Sequence, residues 1–255
     1  MLKKKCVYAY IFETPVPEDS NIMRKYRYCP HPFIIEPPEN TKTVFKSEEE
    51  LAFGLVLIGK AIDYLPYFIY TFEELGEIGI GKGRGKFELV EVKNGEKVIY
   101  SSDTKALKPF VSSALNFESI SADSGLLTVD FKTPTRIVYD TQLTLDLEFH
   151  ILMRALLRRI SLLSYFHCNK DMPDIDFKGI IEKAGKVKTS QRSLEWHDWE
   201  RYSARQDTRM KLGGFKGEIK FEGDISDFMP LIMLGEHVHV GKGTSFGLGK
   251  YEIIN

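Results

Sequence analysis

Asp63-Tyr64-Leu65-Pro66, Leu75-Gly76-Glu77, Gly81-Lys82-Gly83 and Gly85-Lys86-Phe87-Glu88-Leu89 form an ordered series that the chain repeats. The second copy runs Asp227-Phe228-Met229-Pro230, Leu234-Gly235-Glu236, Gly241-Lys242-Gly243 and Gly249-Lys250-Tyr251-Glu252-Ile253. Only the lengths between the signals differ, which marks two copies of one supersecondary unit. Asp63 and Asp227 suit helix N-caps, with Pro66 and Pro230 in the first turn, where a missing N–H costs little. Gly76 and Gly235 suit the left-handed residue that ends a helix. A glycine-rich loop with cations follows, then an alternating strand over Phe87 to Val92 or Tyr251 to Ile254. Each copy reads helix, glycine-rich loop, strand.

That order excludes dinucleotide folds and P-loops, which place their glycines after a strand and before a helix. The letters agree: Gly235 to Gly241 holds one residue too many for a Walker A loop, and Gly243 follows Lys242 where Ser or Thr is needed. Glycines in such a loop allow positive φ and close approach to a ligand. Consecutive N–H groups form an anion-binding nest, and neighbouring cations suit phosphate. Lys82 and Arg84 supply charge in the first copy and Lys242 in the second. The first loop reads equally as a tight connection with incidental cations. The second, with five glycines from Gly235 to Gly249, favours a phosphate-backbone contact through Gly241, Lys242, Gly243, Thr244, Ser245, Gly247 and Gly249.

At 255 residues the chain holds two ordinary domains or one large one, and 43% hydrophobic residues support real cores. No apolar run reaches the roughly 18 residues that span a bilayer. The charged start, Met1 to Lys5, lacks an apolar stretch behind it, so no signal peptide is expected. Cys6, Cys29 and Cys168 are odd in number and widely spaced, which points to a reducing, cytoplasmic setting and to neither a disulfide framework nor a zinc site. A net charge of −1 and a pI near 6.6 argue mildly against nucleic acid. Distribution softens this. Lys183 to Lys220 carries ten Lys or Arg against five acids, a local excess of five. A basic face on a neutral protein is compatible with a polyanion, or is an ordinary mixed surface.

Cys6 to Phe12, Phe33 to Ile35 and Leu51 to Ile58 read as strands, 14–31 as a proline-rich loop, and 93–125 as a connector. Leu126 to Phe131 reads as a strand. Leu145 to His167 is the longest helical pattern, with Phe149, Leu152, Leu156, Ile160 and Leu163 on one stripe and Arg154, Arg158 and Arg159 off it. Asp176 to Ala184 forms a short extra helix. Residues 187–205 and 210–222 form a long hairpin turning near Gln206 to Thr208. The second half is therefore β-α-β-β-α-β, and the first nearly so with its first helix weak or missing. The expected fold is α+β: two tandem ferredoxin-like (RRM-like) domains, 1–125 and 126–255, each with a glycine-rich loop before its last strand.

Taken together, these features resemble the CRISPR-associated endoribonucleases that process precursor crRNA, within the RAMP superfamily. The resemblance lies in Gly241 to Gly249, in Thr133-Pro134-Thr135-Arg136, in Trp199 to Gln206, in Leu212 to Gly217, in Cys29-Pro30-His31-Pro32-Phe33-Ile34, and in the segment Phe53 to Phe87. It covers most of the chain. It implies metal-independent RNA cleavage without a cofactor: the 2′-hydroxyl upstream of the scissile phosphate attacks phosphorus, the 5′-oxygen leaves, and the products carry a cyclic phosphate and a 5′-hydroxyl. Such chemistry needs a base, an acid, cations and an in-line pose. The implied partner is CRISPR repeat RNA. Other effector subunits and a homodimer are left open; neither DNA nor a membrane is expected. Two alternatives stand beside this: a non-catalytic RAMP subunit holding crRNA, and a tandem binding protein with no RNA role.

The resemblance places the catalytic group in the N-terminal half. The only histidine there is His31, flanked by prolines, with Tyr28, Tyr26 and Lys25 close by. Histidine near neutrality serves as acid or base, although a lone loop histidine often only caps backbone. His237 and His239 share one face if their segment is extended, and are the alternatives. Arg201 and Arg205 read as RNA or structural anchors. Tyr202 reads as a stacking or a core residue. His167 reads as a helix-end cation.

Overall fold

The computed structural model describes residues 6–38, 42, 44–81, 83–112, 125–168, 176–203 and 207–254. Residues 1–58 with 116–255 form one compact unit and 59–115 a second. The architecture is mixed α and β with small antiparallel sheets. Among the described residues no helix is long and apolar enough to cross a membrane.

The larger unit begins with a short π-helical turn, Ala9–Glu13. A strand was expected here. A short apolar run does not distinguish helix from strand, and tertiary packing decides it. Ala9 and Ile11 are buried, while Tyr8 and Phe12, four residues apart, stack on the outside with ring centroids 5.4 Å apart. The turn closes when the Thr14 N–H donates to the Ala9 carbonyl at 2.8 Å. Strand β1 (Phe33–Glu36) then pairs antiparallel with β2 (Gly54–Leu57).

In the smaller unit, helix α1 (Leu65–Ile78) carries Pro66 in its first turn as expected, but its cap is Tyr64 and Asp63 sits in a preceding 3-10 turn. Gly76 is not the terminator: the helix runs on, and Gly79 closes it at φ 84. A Cβ on Gly76 would collide with the Phe87 carbonyl, so the glycine serves close approach. Strand pairing starts later than the expected Phe87, with β3 (Glu91–Asn94) against β4 (Lys97–Ser101).

The rest of the larger unit follows the expected β-α-β-β-α-β order. It consists of β5 (Leu126–Thr135), the two-residue ladder β6 (Val138–Tyr139) and β7 (Gln142–Leu143), α2 (Phe149–His167), α3 (Phe177–Ala184), β8 (Lys188–His197), β9 (Glu200–Ser203), β10 (Thr208–Lys211), β11 (Gly214–Glu222), α4 (Met229–Val238) and β12 (Tyr251–Ile254). The main sheet is antiparallel in the order β12-β5-β11-β8, and β9 with β10 extends the hairpin. Alternation in β5 sends Leu127, Val129 and Phe131 into the core. There they meet Phe149, Leu152, Leu156 and Ile160 from α2. Phe149 packs edge-on against both Phe221 and Phe228 at 5.1 Å, and Phe131 against Phe215 at 5.0 Å. Each such pair contributes about 0.5–1.5 kcal/mol beyond area burial.

Helix α4 repeats the lesson of α1. Its cap is Phe228, and Asp227 lies in the turn Ser226–Phe228, where it binds Lys183 at 2.7 Å. Gly235 lies inside the helix, because a Cβ there would collide with the Tyr251 hydroxyl and the Leu156 side chain. That hydroxyl donates to the Ile232 carbonyl. Gly76 with Phe87, and Gly235 with Tyr251, occupy matching places in the sequence repeat. Gly235→Ala should therefore lower the urea unfolding free energy by about 1–3 kcal/mol. In the double variant with Tyr251→Phe the losses should sum to less than the two singles, since the clashing oxygen is gone. Strict additivity, or no loss in the single variant, would contradict this packing.

Candidate functional site

The second glycine-rich loop is tied down by the end of β5. The Gly249 N–H donates to the Pro134 carbonyl at 3.2 Å and the Lys242 N–H to the Arg136 carbonyl at 2.9 Å. The Thr133 hydroxyl donates to the Gly247 carbonyl at 2.8 Å and accepts from the Lys250 N–H at 2.9 Å. Thr133-Pro134-Thr135-Arg136 is thus the loop's staple. At its tip is a 3-10 turn, Thr244–Phe246. The Gly243, Thr244 and Ser245 amides find no partner among the described residues, and Lys242 is exposed beside them. Free amides in succession next to a cation are suited to a phosphate.

Beneath the loop, His239 ends α4 at φ 58 and is fully buried. Its Nδ1 meets the Leu248 carbonyl at 3.1 Å and its Nε2 meets Glu36 Oε1 at 2.9 Å. Both partners are acceptors, a pattern that a ring donating from both nitrogens satisfies. Glu36 is also 3.6 Å from Lys250. The His239 bond, ahead of Lys250, holds the Glu36 carboxyl below the usual carboxylate range despite its burial. Gly247 rests on Pro37 and the Ile35 carbonyl, so β1 and the loop share one contact surface.

His31 stands two residues before β1. The Thr14 hydroxyl donates to the Cys29 carbonyl at 2.8 Å, which leaves its oxygen to accept from His31 Nδ1 at 3.2 Å. In that tautomer Nε2 keeps the lone pair. The ring lies 5.6 Å from Phe33. Burial lowers the His31 pKa below its ordinary value; the Ile11 carbonyl opposes this and the charge of Arg159 adds to it. Behind the segment, His167 is 1% exposed. Its Nε2–H donates to the Pro30 carbonyl at 2.7 Å, and its Nδ1 accepts from the Tyr10 hydroxyl at 3.3 Å. Burial drives its pKa down to about 4. Arg159 is buried too, with Nε donating to the Val238 carbonyl at 2.5 Å, and burial lowers its pKa to about 9.

Residues 129–251 match the family model described as CRISPR-associated endoribonuclease Cas6, and residues 1–111 match an N-terminal domain model, AF_1859_N. Residues 129–251 belong to the CRISPR-associated Cas6 endoribonuclease family. No curated protein matches it. A solved Cas6 (TTHB231) product complex is 16% identical, with a TM-score of 0.56 over 88% of this chain and 82% of that one, a likeness of fold. Thermus thermophilus Cas6 (TTHB231) is 18% identical over 51% of this chain and 54% of that one, with a TM-score of 0.41. A Cas6 (TTHA0078) product complex is 18% identical over 89% and 83%, with a TM-score of 0.46.

The residues singled out for this Cas6-family site fall into distinct settings. Tyr28 and Lys25 are exposed on the segment that leads to His31. His237 is exposed in the last turn of α4, so it and His239 do not share the face of an extended segment. Arg84 is exposed at a turn of the smaller unit; Lys82 and Arg205 lie outside the described residues. Arg201 lies in β9, its backbone paired with Met210. His167 is no helix-end cation, and Arg159 is not on a solvated face, because both turn inward to backbone carbonyls. Among the described residues no group of three or more His, Cys, Asp or Glu converges as metal ligands. Thr14, Tyr10 and Glu36 carry no local signal in the sequence, because their partners lie 15 or more positions away.

His167 and His31 bind protons more weakly folded than unfolded. As pH falls below about 6.5 the unfolded chain is protonated first, so stability is full above that range and declines toward pH 4. The His167 share is on the order of 3 kcal/mol. Urea unfolding of wild type and His167→Gln between pH 7 and 4 should show the stability gap narrowing as pH falls. A gap that does not change with pH would contradict the assignment.

Proposed function

We propose that this chain cuts precursor CRISPR RNA within its repeats, without metal, by attack of the 2′-hydroxyl on the adjacent phosphorus. Proton transfer is assigned to His31. The supporting observation is its geometry: a half-buried imidazole, fixed through Nδ1 by Thr14, with burial keeping it neutral and Nε2 able to accept a proton. Nε2 takes the 2′-hydroxyl proton as the new P–O bond forms; the P–O5′ bond breaks, and the 5′-oxygen is protonated as it leaves. Lys25 and Tyr28 are second in line for proton transfer. The Gly241 to Gly249 loop with Lys242 holds backbone phosphate, and Lys82, Arg84, Arg201 and Arg205 are further contacts. The β12-β5-β11-β8 sheet, together with the matching places of Gly76 and Gly235 in the sequence repeat, supports a tandem pair of ferredoxin-like domains, divided near residue 125.

Binding and chemistry separate by mutation. His31→Ala should leave repeat-RNA affinity within a few-fold and reduce the single-turnover rate by roughly a hundredfold or more. The acid limb of the rate profile, which should fall off below the ordinary histidine pKa, should disappear with it. Lys242→Ala should do the reverse, weakening affinity and lowering the salt slope by about one. Normal cleavage by His31→Ala would overturn the assignment. A wild-type protein that binds repeat RNA and never cuts it would replace the enzyme with a crRNA-holding subunit.

A further inference from the structure

Residues 21–30 contain Arg24, Lys25 and Arg27 and no acid. They interleave with two outward aromatics, Tyr26 at 55% and Tyr28 at 49% exposure. Lone exposed apolar residues need no explanation, but here two aromatic faces and three cations stand together. From α2 the exposed Arg158 reaches across, with its guanidinium 5.6 Å from the centre of the Tyr26 ring. Arg27 lies 5.1 Å from the centre of the Tyr28 ring. Among the described residues none of Arg24, Lys25, Arg27 or Arg158 is paired with a carboxylate; Arg24 bonds only the Ser20 carbonyl and Asn21 Oδ1. Over residues 21–30 the segment is therefore positively charged.

The segment is also pre-formed. The Tyr26 N–H closes a turn on the Met23 carbonyl at 2.8 Å, and the Val16 N–H donates to the Arg27 carbonyl at 3.2 Å. The Ser20 hydroxyl donates to the Ile22 carbonyl at 2.8 Å. A ring with a guanidinium on one side and more than half its surface in water presents its other side for stacking. Every base has a π-face, so such a ring takes bases with little regard to sequence, and the surrounding cations take the phosphates.

We propose that Tyr26 backed by Arg158, with Arg24 and Arg27 beside it, is a stacking platform for an unpaired nucleotide of the RNA leading to or from His31. This rests on the RNA-cleaving function proposed above and adds to it where the single-stranded part of the substrate lies. The occupant is single-stranded RNA rather than duplex, because stacked base pairs hide the faces that the ring needs.

The test uses the full chain and two probes: repeat RNA carrying a 2′-deoxy residue at the cleavage position, which binds uncut, and short single-stranded oligo(A). Tyr26→Leu should weaken both by roughly fivefold to a hundredfold, the range expected when one stacked base is lost. Tyr26→Trp should restore affinity, Arg158→Ala should weaken binding, and Arg24→Ala should reduce the salt slope by about 0.7. Ultraviolet cross-linking should join oligo(A) to Tyr26. If Tyr26→Leu, folded by circular dichroism, binds both probes like wild type, the platform is wrong while the nuclease reading stands. An equal loss of affinity for blunt duplex RNA would also overturn it. If wild type binds neither probe, the function itself fails and the platform with it.

Discussion

A buried histidine facing a carboxylate joins the two ends of this chain. Glu36 is the last residue of β1, and His239 lies 203 positions later at the root of the glycine-rich loop. The His239 ring is fully out of water, so its hydrogen bonds to Glu36 and to the Leu248 carbonyl replace hydration it has lost. Removing either partner would leave a buried polar group unmatched, an arrangement far more costly than never burying it. The positive φ at His239 adds strain that only a well-determined surrounding structure sustains.

Much of the proposed function hangs on that join. Strand β1 carries His31 just ahead of its first residue and Glu36 as its last. The loop that bears Lys242 rests on the same strand through Gly247 and is stapled from beneath by Thr133. The residue proposed for proton transfer and the loop proposed to hold phosphate are therefore set by one short element. The polar layer behind β1 does related work: His167 grips the Pro30 carbonyl and Thr14 grips His31, so the ring is oriented from two sides. Rigid support of this kind is what general acid–base chemistry requires of a group that must meet an in-line geometry.

The repeat in the sequence was legible because backbone constraints write themselves into residue types. Glycines at 76 and 235 marked something special, but the helix-ending role was wrong, since close approach of another chain segment demands the same residue as a left-handed turn. The β-α-β-β-α-β order of the second half followed from plain alternation and one long amphipathic stripe. The turn at Ala9–Glu13 is not legible in the sequence, because four apolar residues and an acid carry no decisive period. His31 stood out by its flanking prolines. Thr14, Tyr10, His167 and Arg159 did not, because their roles exist only through contacts across the fold. A histidine or arginine that turns inward reads, in sequence, like one that faces water.

The chemistry is tested most directly by the ends of the products. Repeat RNA incubated with the purified protein in excess EDTA, then analysed by mass spectrometry, should yield an upstream fragment ending in a 2′,3′-cyclic phosphate and a downstream fragment beginning with a 5′-hydroxyl. Fragments with a 3′-hydroxyl and a 5′-phosphate, or cleavage that appears only when magnesium or manganese is restored, would contradict attack by the substrate's own hydroxyl and the role given to His31.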